Sequence, residues 1–516
     1  MLVSDIVTRN AQFFPEREAL VTPGGVSRTW AEVDERTTRF GNALLELGLQ
    51  KGDRLAIFAP NCTEYVEFFF ACAKAGVAGA ATNIRLSEYE IASYLSYVEP
   101  AALLVHADLL EDARGWIEQV ASLKRVIGFG GDHGLDLDLE QLLASTSTET
   151  PPVTIEETDI YQLGATSGTT GIPKAIVLTH RNAIAAMVCW ASEMPVPEAG
   201  TALQNIPMFF NPGGPSGIHP VLLKGGRSVI PPAFDPKEFP RLVEEYQVTN
   251  TIIVPTMVQM VVSQPECDQH DLSSLRGVMS GGSPMSLDVF RRARQVMGNV
   301  FYPIYGMAES YSVGTVLRPE NQHLEGSPEQ LQRLSSVGKP YVLTRLRVVD
   351  AQGDDVPRDG TTSGEIWLSG DHMSAEYYRM PDETARSKAG EWFRTGDVAV
   401  IDSDGFVTIV DRLKDMIITG GINVFSIEVE RCLEVHPGVD QVAVIGVPHA
   451  QWGEAIHAVV RRTEGSTVTE DELIDFAAER LSAYKKPRSI EFVDAMPISG
   501  TGKILKKVLR ETRRQD

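Results

Sequence analysis

The sequence predicts an α/β protein: a large amino-terminal domain with parallel sheets and several subdomains, then a small mobile α+β carboxy-terminal domain. Three observations predict it. Short apolar runs alternate with helical patterns through much of the first 400 residues, as strands and crossover helices do. The chain has 516 residues, beyond the size at which a single core stops growing. Near residue 411 the texture changes, because DRLKDMIITGGINVFSIEVE sets charges and paired glycines between two apolar segments, as an interdomain joint would.

Taken in order, LAIFAP (Leu55 to Pro60) reads as a buried strand, and TEYVEFFFACAKAG after it as a helix ending near Gly76. VIGFGG (Val126 to Gly131) and TIIVPT (Thr251 to Thr256) repeat the strand signal. Between them, the polar segment from Ala144 to Asp159 contains Pro151 and Pro152 and reads as a connector between subdomains. The apolar lead-in YQLGA follows, then TSGTTGIPK, then THRNAIAAMVCW with Thr179 as an N-cap. That order places TSGTTGIPK between a strand and a helix. Beyond the joint, QVAVIGVP reads as a strand, and VTEDELIDFAAERL as a helix with Thr469 and Glu472 spaced for a capping box. The expected domains are 1–411 and 412–516, the second long enough to fold around its own core.

Composition narrows the function. With 43% hydrophobic and 22% charged residues the chain is globular, and 47 basic against 69 acidic residues leave a net charge of −22. Such a balance disfavours nucleic acid or an anionic membrane as a main partner, so a polyanionic ligand needs a local basic site. The run FFFACAKAGVAGAA is broken by Lys74 and too short to span a bilayer, and the first residues lack the pattern of a secretory signal. Five widely spaced cysteines without Cys-x-x-Cys point to neither a disulfide framework nor a zinc site; a reducing cytoplasm is expected. The oligomeric state is left open.

TSGTTGIPK, Thr166 to Lys174, is the first sign of chemistry. Glycines let backbone amides approach a ligand, hydroxyls add donors and the lysine adds charge, which together suit a polyphosphate. The same residue types also make ordinary turns, so this stretch alone does not decide. Neither GxxxxGK before Ser or Thr nor a GxGxxG after a strand occurs, and the signatures of α/β hydrolases and zinc proteases are absent.

Five further stretches decide it: GGSP at 281–284, YGMAES at 305–310, WFRTGD at 392–397, the segment at 411–430 and PISGTGK at 497–503. In this order and spacing the chain resembles, over nearly its whole length, the adenylate-forming superfamily of acyl-CoA synthetases, beetle luciferases and peptide-synthetase adenylation domains, and acyl-CoA synthetases most. The resemblance implies ATP, Mg2+ and CoA as cofactors or co-substrates and a small carboxylic acid as substrate. Carboxylate attack on ATP gives an acyl-adenylate and pyrophosphate; CoA then takes the acyl group and AMP leaves.

The resemblance also assigns residues. Thr166, Ser167, Gly168, Thr169, Thr170, Gly171 and Lys174 wrap the phosphates, and Thr166 and Glu309 hold Mg2+ directly or through water. Gly281, Gly282, Tyr305 and Gly306 belong to the adenine slot, Asp397 accepts from the ribose hydroxyls, and Arg412 contacts the nucleotide. Lys503 is the adenylation lysine, Lys414 the pivot about which the small domain turns, and Gly420 and Gly421 flank the CoA channel. Outside this setting Glu309 would read as a solvated carboxylate, Asp397 as a turn residue and Arg412 as half of a surface salt bridge. Lys503 would read as part of the basic tail, in which Lys506, Lys507 and Arg510 are expected to be solvated.

Three positions depart from the family pattern. Ala308 replaces a usual threonine, Ala175 stands where glycine is frequent, and Phe210 stands where many relatives have histidine, so no histidine gate is carried over. An acyl pocket is expected near Phe209, Phe210, Met257 and Val258, without charges to pair with an amino acid, which favours a fatty, alicyclic or aryl acid. Two other functions fit the residues: loading of a carrier-protein thiol in place of CoA, and binding of nucleotide or acyl-adenylate without turnover.

Overall fold

The structure, a computed structural model, describes residues 1–165, 174–210, 219–283, 285–419, 422–449, 451–498 and 504–513. By density of contacts the chain divides into two compact units, 1–345 with 368–391, and 346–367 with 392–516. The expected joint at 411/412 falls within the second of these.

The first unit holds two large sheets, and parallel pairing dominates both. One has nine strands, in the order Lys339–Pro340, Thr315–Val316, Phe301–Tyr305, Gly277–Gly281, Asn250–Ile252, Thr201–Leu203, Arg227–Val229, Glu18–Val21 and Ser27–Thr29. From Phe301–Tyr305 to Glu18–Val21 every neighbouring pair is parallel, and antiparallel strands close both edges. The other sheet has seven strands, ending Arg54–Phe58, Ala78–Ala81, Ile160–Ala165, Ala175–Thr179. Parallel sheets need apolar residues on both faces because helices cover both. Strand Arg54–Phe58 shows this, with Leu55, Ala56, Ile57 and Phe58 all buried.

Local signals set the helix ends. The helix Thr63–Ala75 stops at Gly76, whose φ of 68° is the left-handed C-terminal conformation that glycine adopts without a Cβ clash. The helix His180–Glu193 starts at Thr179, whose side chain accepts from the Asn182 amide in a capping box. Thr469 and Glu472 form the same device at the helix Glu470–Ala478.

Two local expectations are corrected. The TIIVPT strand ends at Ile252, because Pro255, with no amide hydrogen to offer a ladder, opens the helix Pro255–Val262 instead. TSGTTGIPK is followed by a strand: Ile160–Ala165 and Ala175–Thr179 pair antiparallel with Ala165 opposite Ala175, and the helix comes only after Thr179. The run AIVLT carries this strand signal in its β-branched residues.

In the second unit, strand Val439–His449 pairs antiparallel with Gly453–Arg462, which pairs parallel with Ser489–Phe492. Val442 and Val444 enter one apolar cluster with helices Ser426–Glu434 and Glu470–Ala478, while Ala443 and Ile445 enter another with Met496 and Leu509. Both faces are covered, which accounts for the unbroken apolar run VAVIGV, Val442 to Val447.

The basic tail departs from expectation. Lys507 is exposed, but Lys506 and Arg510 are anchored rather than solvated. The Lys506 ammonium donates to Ser426 Oγ at 2.7 Å and pairs with Glu430 at 2.7 Å, and Arg510 donates to Asp415 at 2.6 Å and to the Lys414 carbonyl at 3.0 Å. Ser426 in turn donates its hydroxyl to the buried Asp411 at 3.0 Å. The tail helix Lys506–Thr512 thereby ties residues 411–415 to helix Ser426–Glu434.

Burial pushes the Glu430 carboxyl above its usual range, and Lys506 opposes that shift. Lys506→Met should therefore destabilise the second unit by ~3–5 kcal/mol, the cost of leaving a buried charge without its partner. A carboxyl raised on folding favours the folded state at low pH and loses that contribution as pH rises. The deficit should thus shrink as the pH falls and Glu430 takes up its proton. Urea unfolding followed at two pH values checks this; an unshifted transition contradicts it.

Candidate active site

In open parallel sheets, ligands bind beyond the carboxyl ends of strands. Two neighbouring strands of the nine-stranded sheet, Gly277–Gly281 and Phe301–Tyr305, end there with motif residues. A Cβ on Gly281 would lie 2.6 Å from Ile304 Cγ1 and 2.8 Å from its carbonyl oxygen, so only glycine allows these strands to close. Gly306 is tighter still, since a Cβ would come within 2.2 Å of the Ser312 carbonyl. Gly282 follows with φ of 93°, and Tyr305 is buried at its strand end.

The chain turns sharply after Gly306. Ser312 N donates to the Met307 carbonyl at 2.8 Å, and Ser310 Oγ accepts from Met307 N at 3.3 Å, folding Ala308–Ser310 into one helical turn. That turn carries Glu309, only 7% exposed. The Tyr377 hydroxyl donates to Glu309 Oε1 at 2.7 Å. Glu309 is thus a positioned carboxylate and not a surface one. Burial, and next the Glu309 charge, push the Tyr377 phenol far above its usual range, so it remains a donor.

Lys174 lies at the start of strand Ala175–Thr179. Its ammonium is 5.1 Å from the centre of the Tyr377 ring and pairs with Glu383, whose carboxylate also accepts from Arg386. Tyr377 therefore touches both the lysine of TSGTTGIPK and the glutamate of YGMAES. Residues 166–173, and with them Thr166, Ser167, Gly168, Thr169, Thr170 and Gly171, lie outside the described residues.

The second unit gathers two other motifs. Strands Trp392–Ile401 and Val407–Arg412 pair antiparallel with Asp397 opposite Arg412, and Arg412 Nε lies 3.1 Å from Asp397 Oδ1. Asp397 is 6% exposed, its amide donates to Thr395 Oγ1 at 3.1 Å, and Leu413 N donates to the Gly396 carbonyl at 2.8 Å. These residues with Lys414 line a cavity of about 350 Å³. A larger cleft of about 480 Å³ in the first unit opens at the opposite, amino ends of the strands, beside Thr201, Arg227 and Arg276. Arg227 is already committed there to Glu18, Thr201 and the Tyr246 carbonyl, and among the described residues no motif residue lines it.

Lys503, Gly420 and Gly421 lie outside the described residues. Around Lys503 the flanks are fixed, since Ile498 bridges Ile504 and Leu505 N donates to the Pro497 carbonyl at 2.8 Å. Phe209 and Phe210 make an edge-on pair with centroids 4.6 Å apart, and Met257 is half-buried on helix Pro255–Val262. Val258, by contrast, is a core residue at 0% exposure.

Tyr377 and Glu383 were not singled out by sequence reasoning. The local mark is a pair of tyrosines, Tyr377 and Tyr378, separated by Arg379 and Met380 from Pro381, which opens the helix Pro381–Arg386 carrying Glu383. Among the described residues no group of three His, Cys, Asp or Glu side chains could hold a metal ion by itself. None of the described helices is long and apolar enough to cross a membrane.

Residues 7–378 match the family described as AMP-binding enzyme, and residues 428–503 match its C-terminal domain. The chain is 37% identical to a feruloyl-CoA synthase from an Amycolatopsis species over 97% of both chains. It is 31% identical to the fatty acid–[acyl-carrier-protein] ligase ScoC of Streptomyces coeruleorubidus, over 97% of this chain and 94% of that one. Among solved structures, ATP-bound MatB from Rhodopseudomonas palustris superposes with a TM-score of 0.87 at 27% identity, covering 100% of this chain and 99% of that one.

Proposed function

We propose, from the premise that this chain belongs to the AMP-binding enzyme family, that it is an ATP-dependent acid:CoA ligase acting on an apolar, aryl-bearing carboxylic acid. The observation that carries this function is the convergence of Lys174 and Glu309 on Tyr377 beyond the carboxyl ends of the parallel strands.

In the first step an oxygen of the acid bonds to the α-phosphorus of ATP while the bond to pyrophosphate breaks. In the second, the CoA sulfur bonds to the acyl carbon, AMP leaves with the electrons of the acyl–oxygen bond, and the thiol proton goes to solvent. Both steps build or move negative charge, so catalysis rests on fixed positive groups and positioning. Lys174 and the hydroxyls and amides of 166–171 hold the β- and γ-phosphates. Tyr305, with the backbone at Gly281, Gly282 and Gly306, forms the adenine slot. Asp397 accepts from the ribose hydroxyls, oriented by Arg412.

Glu309 suits Mg2+: it is an oxygen donor held in one orientation, and Mg2+ takes one or two carboxylates together with substrate phosphates and water. When bound, Mg2+ neutralises phosphate charge; Thr166 is the second group proposed to hold it. Lys503 bridges the acid and the α-phosphate in the first step. Residues 412–516 then turn about Lys414, withdrawing Lys503 and bringing Gly420 and Gly421 beside the pantetheine of CoA. The cytoplasm is the compartment proposed, where the five cysteines stay reduced.

An aryl acid is favoured by the relative named for feruloyl-CoA and by the paired rings of Phe209 and Phe210. Incubation with ATP, Mg2+, CoA and a panel of hydroxycinnamic, benzoic, alicyclic and fatty acids tests both parts. The expected products are AMP and the acyl-CoA, with hydroxycinnamic acids giving the highest kcat/KM. A fatty acid as best substrate would contradict the aryl assignment. Loading of a carrier-protein thiol without any acyl-CoA would contradict the ligase.

A further inference from the structure

The segment 374–378 joins the two pieces of phosphate machinery in the first unit, and its backbone is hydrogen-bonded to both. Ser374 N donates to the carbonyl of Glu309 at 2.7 Å, Val177 N donates to the Glu376 carbonyl at 3.0 Å, and Tyr378 N donates to the Ala175 carbonyl at 2.8 Å. Ser374 Oγ adds a bond to the Val177 carbonyl at 2.8 Å, and Tyr377 N donates to Thr384 Oγ1 at 3.0 Å. The segment is thus stitched on one side to the strand that follows Lys174 and on the other to the turn that carries Glu309. Tyr377 stands at the crossing, 8% exposed, with its ring facing the Lys174 ammonium and its hydroxyl on Glu309.

We propose that Tyr377 is a positioning residue for ATP binding: its hydroxyl aims the Glu309 carboxylate, and its ring fixes the Lys174 ammonium beside Glu383. The inference rests on the nucleotide site proposed above but not on turnover. Its two parts separate chemically. The hydroxyl acts through Glu309 and so governs how strongly Mg2+ assists ATP binding. The ring acts on Lys174 through the attraction of a cation to an aromatic face and governs ATP binding with or without the metal. A tyrosine that merely filled space would give its hydroxyl no such selective effect.

Calorimetric titration of ATP, with excess Mg2+ and with EDTA, reads both parts without acid, CoA or turnover. Tyr377→Phe keeps the ring and should leave metal-free binding as in the wild type, while lowering the Mg2+ enhancement about tenfold, the scale of one hydrogen bond to a charged group. Tyr377→Leu should weaken binding in EDTA as well. In a Glu309→Gln background, Tyr377→Phe should add nothing further, because both changes act on the same carboxylate.

An unchanged Mg2+ enhancement in Tyr377→Phe, or losses that add in the double variant, would overturn the inference. No ATP binding by the wild type would overturn both this and the proposed function. ATP binding with the expected pattern but no acyl-adenylate formation would contradict the ligase alone and support the positioning role.

Discussion

Replacing Lys503 by alanine should lower acid-dependent adenylate formation by roughly 10²- to 10³-fold, the scale seen when a single donor to developing negative charge is removed. The same variant should keep most of its rate of thioester formation from preformed acyl-adenylate. The difference follows from geometry. One ammonium on a lid cannot sit against the α-phosphate while CoA reaches the acyl carbon, so a lysine used in the first step has to be withdrawn for the second. The flanks of PISGTGK suit that task, since the Ile498–Ile504 bridge and the bond from Leu505 N to the Pro497 carbonyl clamp both ends of the stretch. Behind it the helix Lys506–Thr512 is pinned to Glu430 and Asp415. Equal loss in both half-reactions, with folding intact, would contradict the rotation about Lys414.

Replacing Glu309 by glutamine should raise the Mg2+ concentration needed for half-maximal adenylation and lower the rate by roughly 10- to 100-fold, as for other residues that hold or orient a metal's surroundings. Glutamine keeps the shape and an oxygen able to accept from Tyr377, so the fold around the Ala308–Ser310 turn should persist. What disappears is the negative charge that favours the cation. Adenylation rates measured across a Mg2+ series check this, and an unchanged metal dependence would remove Glu309 from the site.

Much of the fold was legible in the sequence because local signals and tertiary demands agree there. Gly76 ends its helix, Thr179 and Thr469 cap theirs, and the doubly covered strand Val439–His449 reads as a continuous apolar run. The misreadings have physical causes. TIIVPT is apolar enough for a longer strand, but Pro255 cannot give a ladder hydrogen bond and starts a helix. Lys506 and Arg510 look like any solvated tail because the carboxylates that hold them, Glu430 and Asp415, are about 75 to 95 positions away in the chain.

The site divides along the same line. Asp397 and Arg412 were each legible from their motifs, and a strand pairing places them opposite one another. Tyr377 was not legible, since its role depends on lying between Lys174 and Glu309, positions about 200 and about 70 residues before it. Sequence spacing carries no trace of such a convergence until the strands have paired.

Exchange of labelled pyrophosphate into ATP, run without CoA and with a single hydroxycinnamic acid, isolates the formation of the mixed anhydride. Label should enter ATP only when acid, Mg2+ and enzyme are all present, and Lys503→Ala should slow its entry by roughly 10²- to 10³-fold. Absence of exchange across the whole acid panel, in a protein that still binds ATP tightly, would mean that the site holds the nucleotide without activating an acid.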